Sequence, residues 1–129
     1  MGRDRTPAPA GATYSDAVAV DLSGARWIYV AGQTARATGE EGIPLDVGGQ
    51  TELCLRQIES LLARWDATLA DLVQVTVYLT DLDDYASYAS VRTRILSEAP
   101  PASAAVGVAS LLGDALVEIA AVAVTDRAA

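Results

Sequence analysis

The last predicted strand of this sequence, residues 115–124, is apolar on both of its faces. Because side chains alternate along a strand, each face takes every second residue. One face consists of Val117, Ile119, Ala121 and Ala123, and the other consists of Leu116, Ala120, Val122 and Val124. Such a strand has to be covered from both sides, which limits the folds and assemblies open to the chain.

Only two helices are predicted elsewhere in the chain, and two helices can cover only one face of a sheet. The second apolar face then needs another cover, and a partner chain is the simplest one. The sequence therefore predicts an obligate oligomer.

Four other segments show patterns typical of strands. Residues 17–22 and 26–31 are short apolar runs, and Ser23-Gly24-Ala25 between them predicts a tight hairpin turn. Residues 72–80 alternate cleanly, and residues 103–109 are expected to form a second hairpin with the last strand. The face of 72–80 that is expected to be buried consists of Val73, Val75, Val77 and Leu79.

The helices are predicted from the helical spacing of apolar residues and from their end signals. The first begins after Asp46, a plausible N-cap, and reaches Trp65. The second follows Asp81 and ends near Glu98, because Pro100-Pro101 cannot continue it. The resulting order is β-β-α-β-α-β-β, an α+β architecture in which two helices cover one face of a sheet.

The remaining segments set the expected boundaries of the domain. Residues 1–12 are rich in proline, alanine and glycine and lack the apolar region of a signal peptide, so they predict a flexible N-terminal arm. Residues 36–45 carry glycines and a proline and predict a loop. Residues 13–126 are then expected to form one domain, with the cytoplasm as its default location because no apolar run could span a membrane.

The charge and the composition exclude several classes of function. The net charge is −8, and the nine basic residues are all arginines that are scattered along the chain. Such a surface disfavours nucleic acid and anionic membranes as partners. The chain has no histidine, which excludes Ser-His-Asp and Cys-His catalysis and the commonest metal ligand. Acid–base chemistry would fall to carboxylates, tyrosines, water or the backbone.

Cys54 and the acidic segment that begins at Asp81 are better explained by structural roles than by catalysis or metal binding. The single cysteine, Cys54, lies on the apolar stripe of the first helix and is expected to be a buried structural thiol. Asp81, Asp83 and Asp84 could suggest a metal loop, but a helix cap with carboxylates favoured by the helix dipole is the preferred interpretation. No metal site is therefore expected.

One charge, Glu118, interrupts the second apolar face of the last strand between Leu116 and Ala120. A buried and unpaired carboxylate costs several kcal/mol, so Glu118 has to be protonated, paired or placed at the edge of a cleft. A salt bridge to an arginine of a neighbouring chain is one interpretation. A carboxyl group positioned for proton transfer is the other, and the sequence leaves both open.

Five segments in order resemble a known family. They are Tyr14-Ser15-Asp16-Ala17-Val18, Val30-Ala31-Gly32-Gln33, Gln50-Thr51 with the helix after it, residues 75–85 and residues 101–124. Together they resemble the RidA (YjgF-type) family of reactive-intermediate deaminases over roughly residues 13–124.

The resemblance implies a chorismate-mutase-like α+β fold and a trimeric, barrel-like assembly with a cleft between each pair of neighbouring subunits. It also implies a small-molecule substrate in each cleft. Typical members hydrolyse imines or enamines of 2-amino acids to 2-keto acids and ammonia. They need neither a metal nor an organic cofactor.

The chain departs from the family pattern at four expected substrate-binding positions. Ser103 stands where typical members carry the arginine that clamps the substrate carboxylate. Ala105 stands where many members carry Cys or Thr. Ala31 stands where many carry Ser, and Ala89 stands where many carry Asn. Loss of a bidentate charge-assisted contact typically costs two or more decades in affinity, so a simple 2-imino acid should be a poor substrate.

Other parts of the pattern are retained. Tyr14 matches a tyrosine that lines the cleft, and Gly32 matches a glycine whose backbone approaches the ligand. Glu118 matches the glutamate proposed to position the attacking water, which makes it the expected catalytic residue. The candidates to replace the missing clamp are Arg26, Arg36 and Arg92.

Three functions remain open at this point. The first is an enzyme that does acid–base chemistry on a neutral or bulkier imine, enamine or carbonyl compound, with a role in specialised metabolism as one setting. The second is an ordinary 2-imino-acid deaminase with a different anion clamp. The third is a non-catalytic, small-molecule-binding or chaperone-like trimer.

Overall fold

The computed structural model describes residues 2–9, 11–36, 42–44 and 46–126. Most of the loop predicted over 36–45 lies outside the described residues. The strands are β1 (Gly2–Pro7), β2 (Ser15–Leu22), β3 (Ala25–Gln33), β4 (Leu72–Leu79), β5 (Ala102–Gly107) and β6 (Val117–Asp126). The helices are α1 (Val47–Ala63) and α2 (Tyr85–Leu96). None of the helices in the described ranges is long and apolar enough to cross a lipid bilayer.

All six strands belong to one mixed sheet with the order β1-β2-β3-β6-β4-β5. The predicted second hairpin is wrong, because β4 lies between β5 and β6 and pairs with both of them. The helical crossover through α2 returns the chain parallel to β4 on its outer edge. The place between β3 and β4 is then filled by β6, the strand with two apolar faces.

The N-terminal segment also differs from its prediction, since residues 2–7 form strand β1 and not a flexible arm. This strand pairs antiparallel with β2 over its whole length. Its side chains are mostly exposed, so the strand is held mainly by backbone pairing. It therefore has no apolar pattern that would identify it in the sequence. Asp4 adds an anchor, because Trp65 Nε1 and Arg64 Nη2 each donate to its carboxyl group at 3.0 Å. The Trp65 hydrogen bond, followed by the Arg64 charge, lowers the pKa of Asp4.

The core lies between the two helices and one face of the sheet. The first face of β6 is buried there as predicted, with Ile119 fully buried and Ala121 5% exposed. Cys54, expected to be a buried thiol, is buried on α1 together with Ile58. The residues of the second face of β6 are only half-buried. Its cross-strand neighbour Tyr29 is 50% exposed, so neither helix covers this side of the sheet.

Strand β4 contains an irregularity that the alternation did not predict. The pairing with β6 shifts register between Leu72 and Gln74. Leu72 is therefore buried, whereas Val73, which was expected in the core, is 46% exposed. An inserted residue of this kind moves every side chain before it to the other face.

Both predicted caps are confirmed. Asp46 accepts a hydrogen bond from the Gly49 backbone at 3.1 Å at the start of α1. Asp81 accepts one from the Asp83 backbone at 2.9 Å, and a single 3₁₀ turn then leads into α2. The second helix consequently begins later than expected, at Tyr85.

Candidate functional site

A bulge in β3 brings two of the candidate residues together. Val30 pairs with Ala121 and Gln33 pairs with Ile119, so two residues of β3 lie opposite one residue of β6. Gly32 is one of these two residues, and a bulge is a common way to aim a side chain next to a site.

The carboxyl group of Glu118 lies directly on the backbone of Gly32. A Cβ atom at position 32 would lie 2.6 Å from Glu118 Oε1 and 2.7 Å from its Cδ. Any side chain at position 32 would therefore displace the carboxyl group. Gly32 and Glu118, two of the expected site residues, therefore lie together, and the packing gives a physical reason for the glycine.

Glu118 is half-buried on the face of the sheet that no helix covers. Its cross-strand neighbour is Tyr78 on β4, and Val106 continues the same row on β5. Among the described residues, no arginine lies within ion-pair distance of Glu118. Its carboxyl group is therefore available to a ligand, or to a cation from a neighbouring chain.

A buried polar network fixes the end of β3 beside this site. Gln33 is fully buried, and its amide nitrogen donates to Asp16 Oδ1 and to the Ala31 carbonyl, both at 3.1 Å. The Cys54 thiol donates to the Gln33 carbonyl at 3.1 Å. Burial, and then the charge of Glu118, raises the pKa of Cys54 to about 12.

Asp16 closes the network through an ion pair with Arg36. The two guanidinium nitrogens of Arg36 bind the Asp16 carboxylate at 3.1 and 3.2 Å. Gln57 accepts from the Arg36 backbone at 2.8 Å and donates to Gln33 at 3.2 Å. Sequence reasoning assigned no role to Asp16 or Gln33, although each is a polar residue at the end of an apolar run.

Two of the three candidate replacement clamps are engaged in ion pairs. Arg36 holds Asp16, and Arg26 holds Asp21 with an Nε–Oδ1 distance of 2.6 Å. Arg92 is different, because it hydrogen-bonds the Tyr85 hydroxyl at 3.1 Å and has no carboxylate partner among the described residues.

A second group of candidates lies between β5 and α2. Ser103 pairs with Val75 and Ala105 pairs with Val77, whose side chains are fully buried on the helix side of the sheet. Ser103 therefore points to the same side, where its hydroxyl group lies close enough to the Tyr88 phenol to lower its pKa, against the larger effect of burial.

The same group includes a residue of α2. Ala89 is half-buried and packs against the core. It follows Tyr88 directly in α2.

The candidate residues thus fall into separate groups within one chain. Gly32, with Ala31 beside it in the bulge, meets Glu118 on the uncovered face. Ser103 and Ala105 lie on the opposite face of the sheet. Tyr14 stands just before β2 with a ring that is 57% exposed. Within one chain these candidates do not come together at a single site.

The described residues contain no cluster of three or more Cys, Asp or Glu side chains that could hold a metal ion. Asp81, the first residue of the acidic segment, acts as a cap, as described above. The groups that the site presents are one half-buried carboxyl group, backbone amides and hydroxyl groups.

Comparison with known families gives one clear match. The family described as Endoribonuclease L-PSP matches residues 5–125. A RutC family protein of Pyrococcus abyssi is 38% identical over 122 residues, which are 93% of this chain and 91% of that protein. A protein of Escherichia coli, provisionally named a reactive intermediate deaminase, is 32% identical over 75% of this chain and 78% of its own length.

Solved structures give the same result for the fold. Yeast Mmf1 superposes with a TM-score of 0.80 at 28% identity, covering 95% of this chain and 94% of that one. RidA from an Antarctic Psychrobacter superposes with a TM-score of 0.76 at 33% identity, covering 92% and 93%. These neighbours confirm the predicted chorismate-mutase-like α+β architecture of the subunit.

Proposed function

Because the chain belongs to the Endoribonuclease L-PSP family, whose members include RutC, YjgF and RidA proteins, we propose that it is a small-molecule enzyme of the reactive-intermediate deaminase type. Its reaction is acid–base hydrolysis of an imine or enamine, or related chemistry on a carbonyl compound. The observation that carries the proposal is the Glu118 carboxyl group, which is half-buried, packed on Gly32 and free of any arginine partner in the described part of the chain.

The chemistry needs one group that can take and return a proton. Glu118 accepts a proton from water as the oxygen adds to the imine carbon, and it passes this proton to the imine nitrogen. In the resulting carbinolamine the same carboxylate takes the hydroxyl proton as the C=O bond forms, and it delivers that proton to the nitrogen as the C–N bond breaks. One imine and one water give one carbonyl compound and one ammonia, and no electrons are exchanged.

The proposal includes a homotrimer with each active cleft between two subunits. The half-buried second face of β6 and the exposed ring of Tyr29 beside it support a covering partner. The location of Ser103 and Glu118 on opposite faces of one sheet also supports a cleft built from two chains. Light scattering should give a mass of about three times 13.4 kDa. A stable monomer at micromolar concentration would remove the shared cleft.

Cleavage of RNA, which the family description names, is a weaker candidate for this chain. The net charge is −8, and most of the described arginines already bind carboxylates. The paired residues are Arg26, Arg36, Arg56, Arg64 and Arg94. Few cations are left to replace the counterions of a phosphate backbone.

An imine-decay assay tests the proposed function. An amino-acid oxidase generates 2-imino acids in place, an amine oxidase generates imines without a carboxylate, and semicarbazide traps the fraction that has not been hydrolysed. We expect the wild-type trimer to accelerate the decay of at least one imine in a panel that contains neutral, acidic and bulky members. A correctly folded trimer that accelerates none of them would contradict the enzyme proposal and favour the non-catalytic, small-molecule-binding alternative.

Replacement of Gly32 by alanine should separate positioning of Glu118 from folding. The added Cβ would meet the carboxyl group at 2.6 Å, so the carboxyl group has to move by about 1 Å. We expect turnover of the best imine to fall roughly 10- to 100-fold, as misplacement of this size commonly causes.

Gly48→Ala is the matched control for this change. The nearest atom to a Cβ at position 48 lies at 3.7 Å, on Val91, and the residue is inside α1. This variant should keep full turnover and gain stability of about 0.5–1 kcal/mol. Equal turnover in the Gly32→Ala and Gly48→Ala proteins would show that the position of Glu118 does not matter.

A further inference from the structure

The bulge in β3 contains a peptide group, between Ala31 and Gly32, that lies outside the register of the sheet. Neither residue has a partner residue on β2 or on β6. The extra residue of a bulge is left unpaired in this way, and its backbone groups then need partners from elsewhere. Gly32 is also the residue on which the Glu118 carboxyl group packs. The position of that carboxyl group therefore depends on what holds this peptide group.

The side-chain amide of Gln33 supplies the missing partner. Its nitrogen donates to the Ala31 carbonyl at 3.1 Å. All peptide bonds in the described ranges are trans, and a trans peptide directs its C=O and its N–H in opposite directions. The hydrogen bond to the Ala31 carbonyl therefore also fixes the direction of the Gly32 N–H, which points away from the Gln33 amide.

The glycine at position 32 makes this hydrogen bond necessary. A Cβ there would lie 2.6 Å from Glu118 Oε1, so the packing of the carboxyl group requires glycine. Glycine restricts its backbone less than any other residue, and the peptide group before it can rotate more easily. Rotation would turn the Ala31 carbonyl away from Gln33 and move the surface on which Glu118 packs. The Gln33 amide opposes that rotation.

The neighbours of Gln33 permit only one orientation of its amide. Gln57 accepts from the Arg36 backbone N–H at 2.8 Å and donates to the Thr34 carbonyl at 2.9 Å. A backbone N–H can only donate and a carbonyl can only accept, so Gln57 presents its nitrogen to the Gln33 oxygen, at 3.2 Å. The Gln33 nitrogen is then directed at its two acceptors, of which the second is Asp16 Oδ1 at 3.1 Å.

Asp16 secures the same orientation from the other side. Its carboxylate is buried, and two guanidinium nitrogens of Arg36 bind it at 3.1 and 3.2 Å. Because a carboxylate can only accept, a rotated Gln33 amide would place two oxygens against each other. No buried side-chain nitrogen or oxygen in the described part of the chain lacks a hydrogen-bond partner. A fully satisfied buried network of this kind is rigid and specifies one arrangement.

We propose that Gln33 is a positioning residue, whose amide holds the peptide between Ala31 and Gly32 and thereby sets the location of the Glu118 carboxyl group. This inference rests on the proposed function, which it deepens by naming a residue that acts through Glu118. Gln33 is fully buried, so it does this without touching the substrate. Displacement of a reacting group by about 1 Å can cost roughly 100-fold in rate, so loss of the amide should appear in kcat.

The first test does not depend on turnover. Gln33→Met keeps the length of the side chain but removes its amide. We expect it to shift the backbone amide signal of Gly32 and the ¹³C signal of the Glu118 carboxyl group in NMR spectra of the full-length protein. Unchanged signals of both groups in a folded Gln33→Met protein would overturn the proposal.

Thr51→Val is the matched control for the loss of a buried hydrogen bond. The Thr51 hydroxyl donates to the Val47 carbonyl at 2.7 Å, and this bond lies wholly within α1. The variant should lower the melting temperature but leave the Gly32 and Glu118 signals in place. Equal shifts of these signals in the Thr51→Val protein would show that they report general loosening of the core, and would also overturn the proposal.

The kinetic test uses the best imine of the panel. Gln33→Met should lower kcat about 10- to 100-fold with little change in KM. Thr51→Val should keep the wild-type kcat. In a Glu118→Gln background the Gln33→Met change should have little further effect, because the group that Gln33 positions is already lost. A full additional loss in that background would show that Gln33 acts independently of Glu118.

A reciprocal exchange separates the hydrogen bond to Ala31 from the stability of the network. Asp16→Asn combined with Gln33→Glu keeps the charge and restores an amide–carboxylate contact between the two positions. Position 33 then has no donor for the Ala31 carbonyl. We expect the melting temperature to recover relative to Gln33→Glu alone, while kcat stays low. Recovery of kcat together with stability would overturn the role of the bond to Ala31. The exchange also supplies a folded protein if Gln33→Met does not fold.

The two proposals fail in different ways. If Gln33→Met shifts the Gly32 and Glu118 signals but no imine is hydrolysed by the wild type, Gln33 still holds the bulge and the enzymatic function falls. If the wild type and a folded Gln33→Met protein hydrolyse imines at the same rate, the enzymatic function stands and the positioning role falls.

Discussion

Replacement of Glu118 by glutamine is expected to abolish most of the imine hydrolysis, with a loss of about 10²- to 10⁴-fold in kcat. The amide has nearly the same shape as the carboxyl group and can still pack on Gly32. It cannot take a proton from water at neutral pH. The loss should therefore appear in kcat, while the mass and the melting temperature stay at the wild-type values.

The same variant distinguishes the two interpretations of Glu118 that the sequence leaves open. If an arginine of a neighbouring subunit pairs with Glu118, the glutamine variant leaves that cation unpaired in the interface. The trimer should then lose roughly 3–5 kcal/mol of stability. Light scattering and thermal melting measure this loss directly.

Glu98→Gln serves as the control, because Glu98 is an exposed carboxylate just beyond α2. It removes the same charge far from Gly32 and should change neither turnover nor stability appreciably. A stable Glu118→Gln trimer with full activity would leave the proposed mechanism without its acid–base group.

The Cys54 thiol is expected to react with iodoacetamide about 1000-fold more slowly in the native protein than in the urea-unfolded chain at pH 8. Only the thiolate reacts, and a pKa of about 12 in place of 9.0 lowers the thiolate fraction by three decades. Complete burial of Cys54 should slow the reaction further. Mass spectrometry of timed samples gives both rates.

The raised pKa of Cys54 also makes the stability of the native protein depend on pH. Between about pH 9 and pH 12 the unfolded thiol is ionised while the native thiol keeps its proton. The native state therefore binds more protons in this window, and its stability should fall as the pH rises through it.

Below pH 9 this group should make no pH-dependent contribution to stability. Cys54→Ala should remove the contribution above pH 9, and this variant is also the unlabelled control for alkylation. Rapid alkylation of the native thiol at pH 8 would show that the network around Gln33 opens readily.

Local features of the chain could be predicted because they depend on a few neighbouring residues. The alternation of β6, the caps at Asp46 and Asp81, and the placement of Cys54 on the buried stripe of α1 are all confirmed. Each depends on side-chain periodicity or on a hydrogen bond within three residues. The resemblance to a family added Gly32 as an expected site residue, which local patterns alone could not indicate.

Features that join distant parts of the chain could not be predicted in the same way. Strand β1 is held by backbone pairing and by a contact between Asp4 and Trp65, 61 positions apart, so its composition alone resembled a flexible arm. The position of β4 between β5 and β6 follows from the crossover through α2, and no local pattern records it.

The arginines show most clearly the difference between what the sequence determines and what only the tertiary structure determines. Arg26, Arg36 and Arg92 are equivalent in the sequence as candidate anion clamps. Only the tertiary structure shows that Asp21 and Asp16 pair with the first two, whereas Arg92 lies at a cavity without a carboxylate partner among the described residues. The sequence determined which residue types were present and which face of a strand or helix they occupy. The tertiary structure decided which charges are neutralised, because an ion pair depends on separations of a few ångströms between residues that can be far apart in the chain.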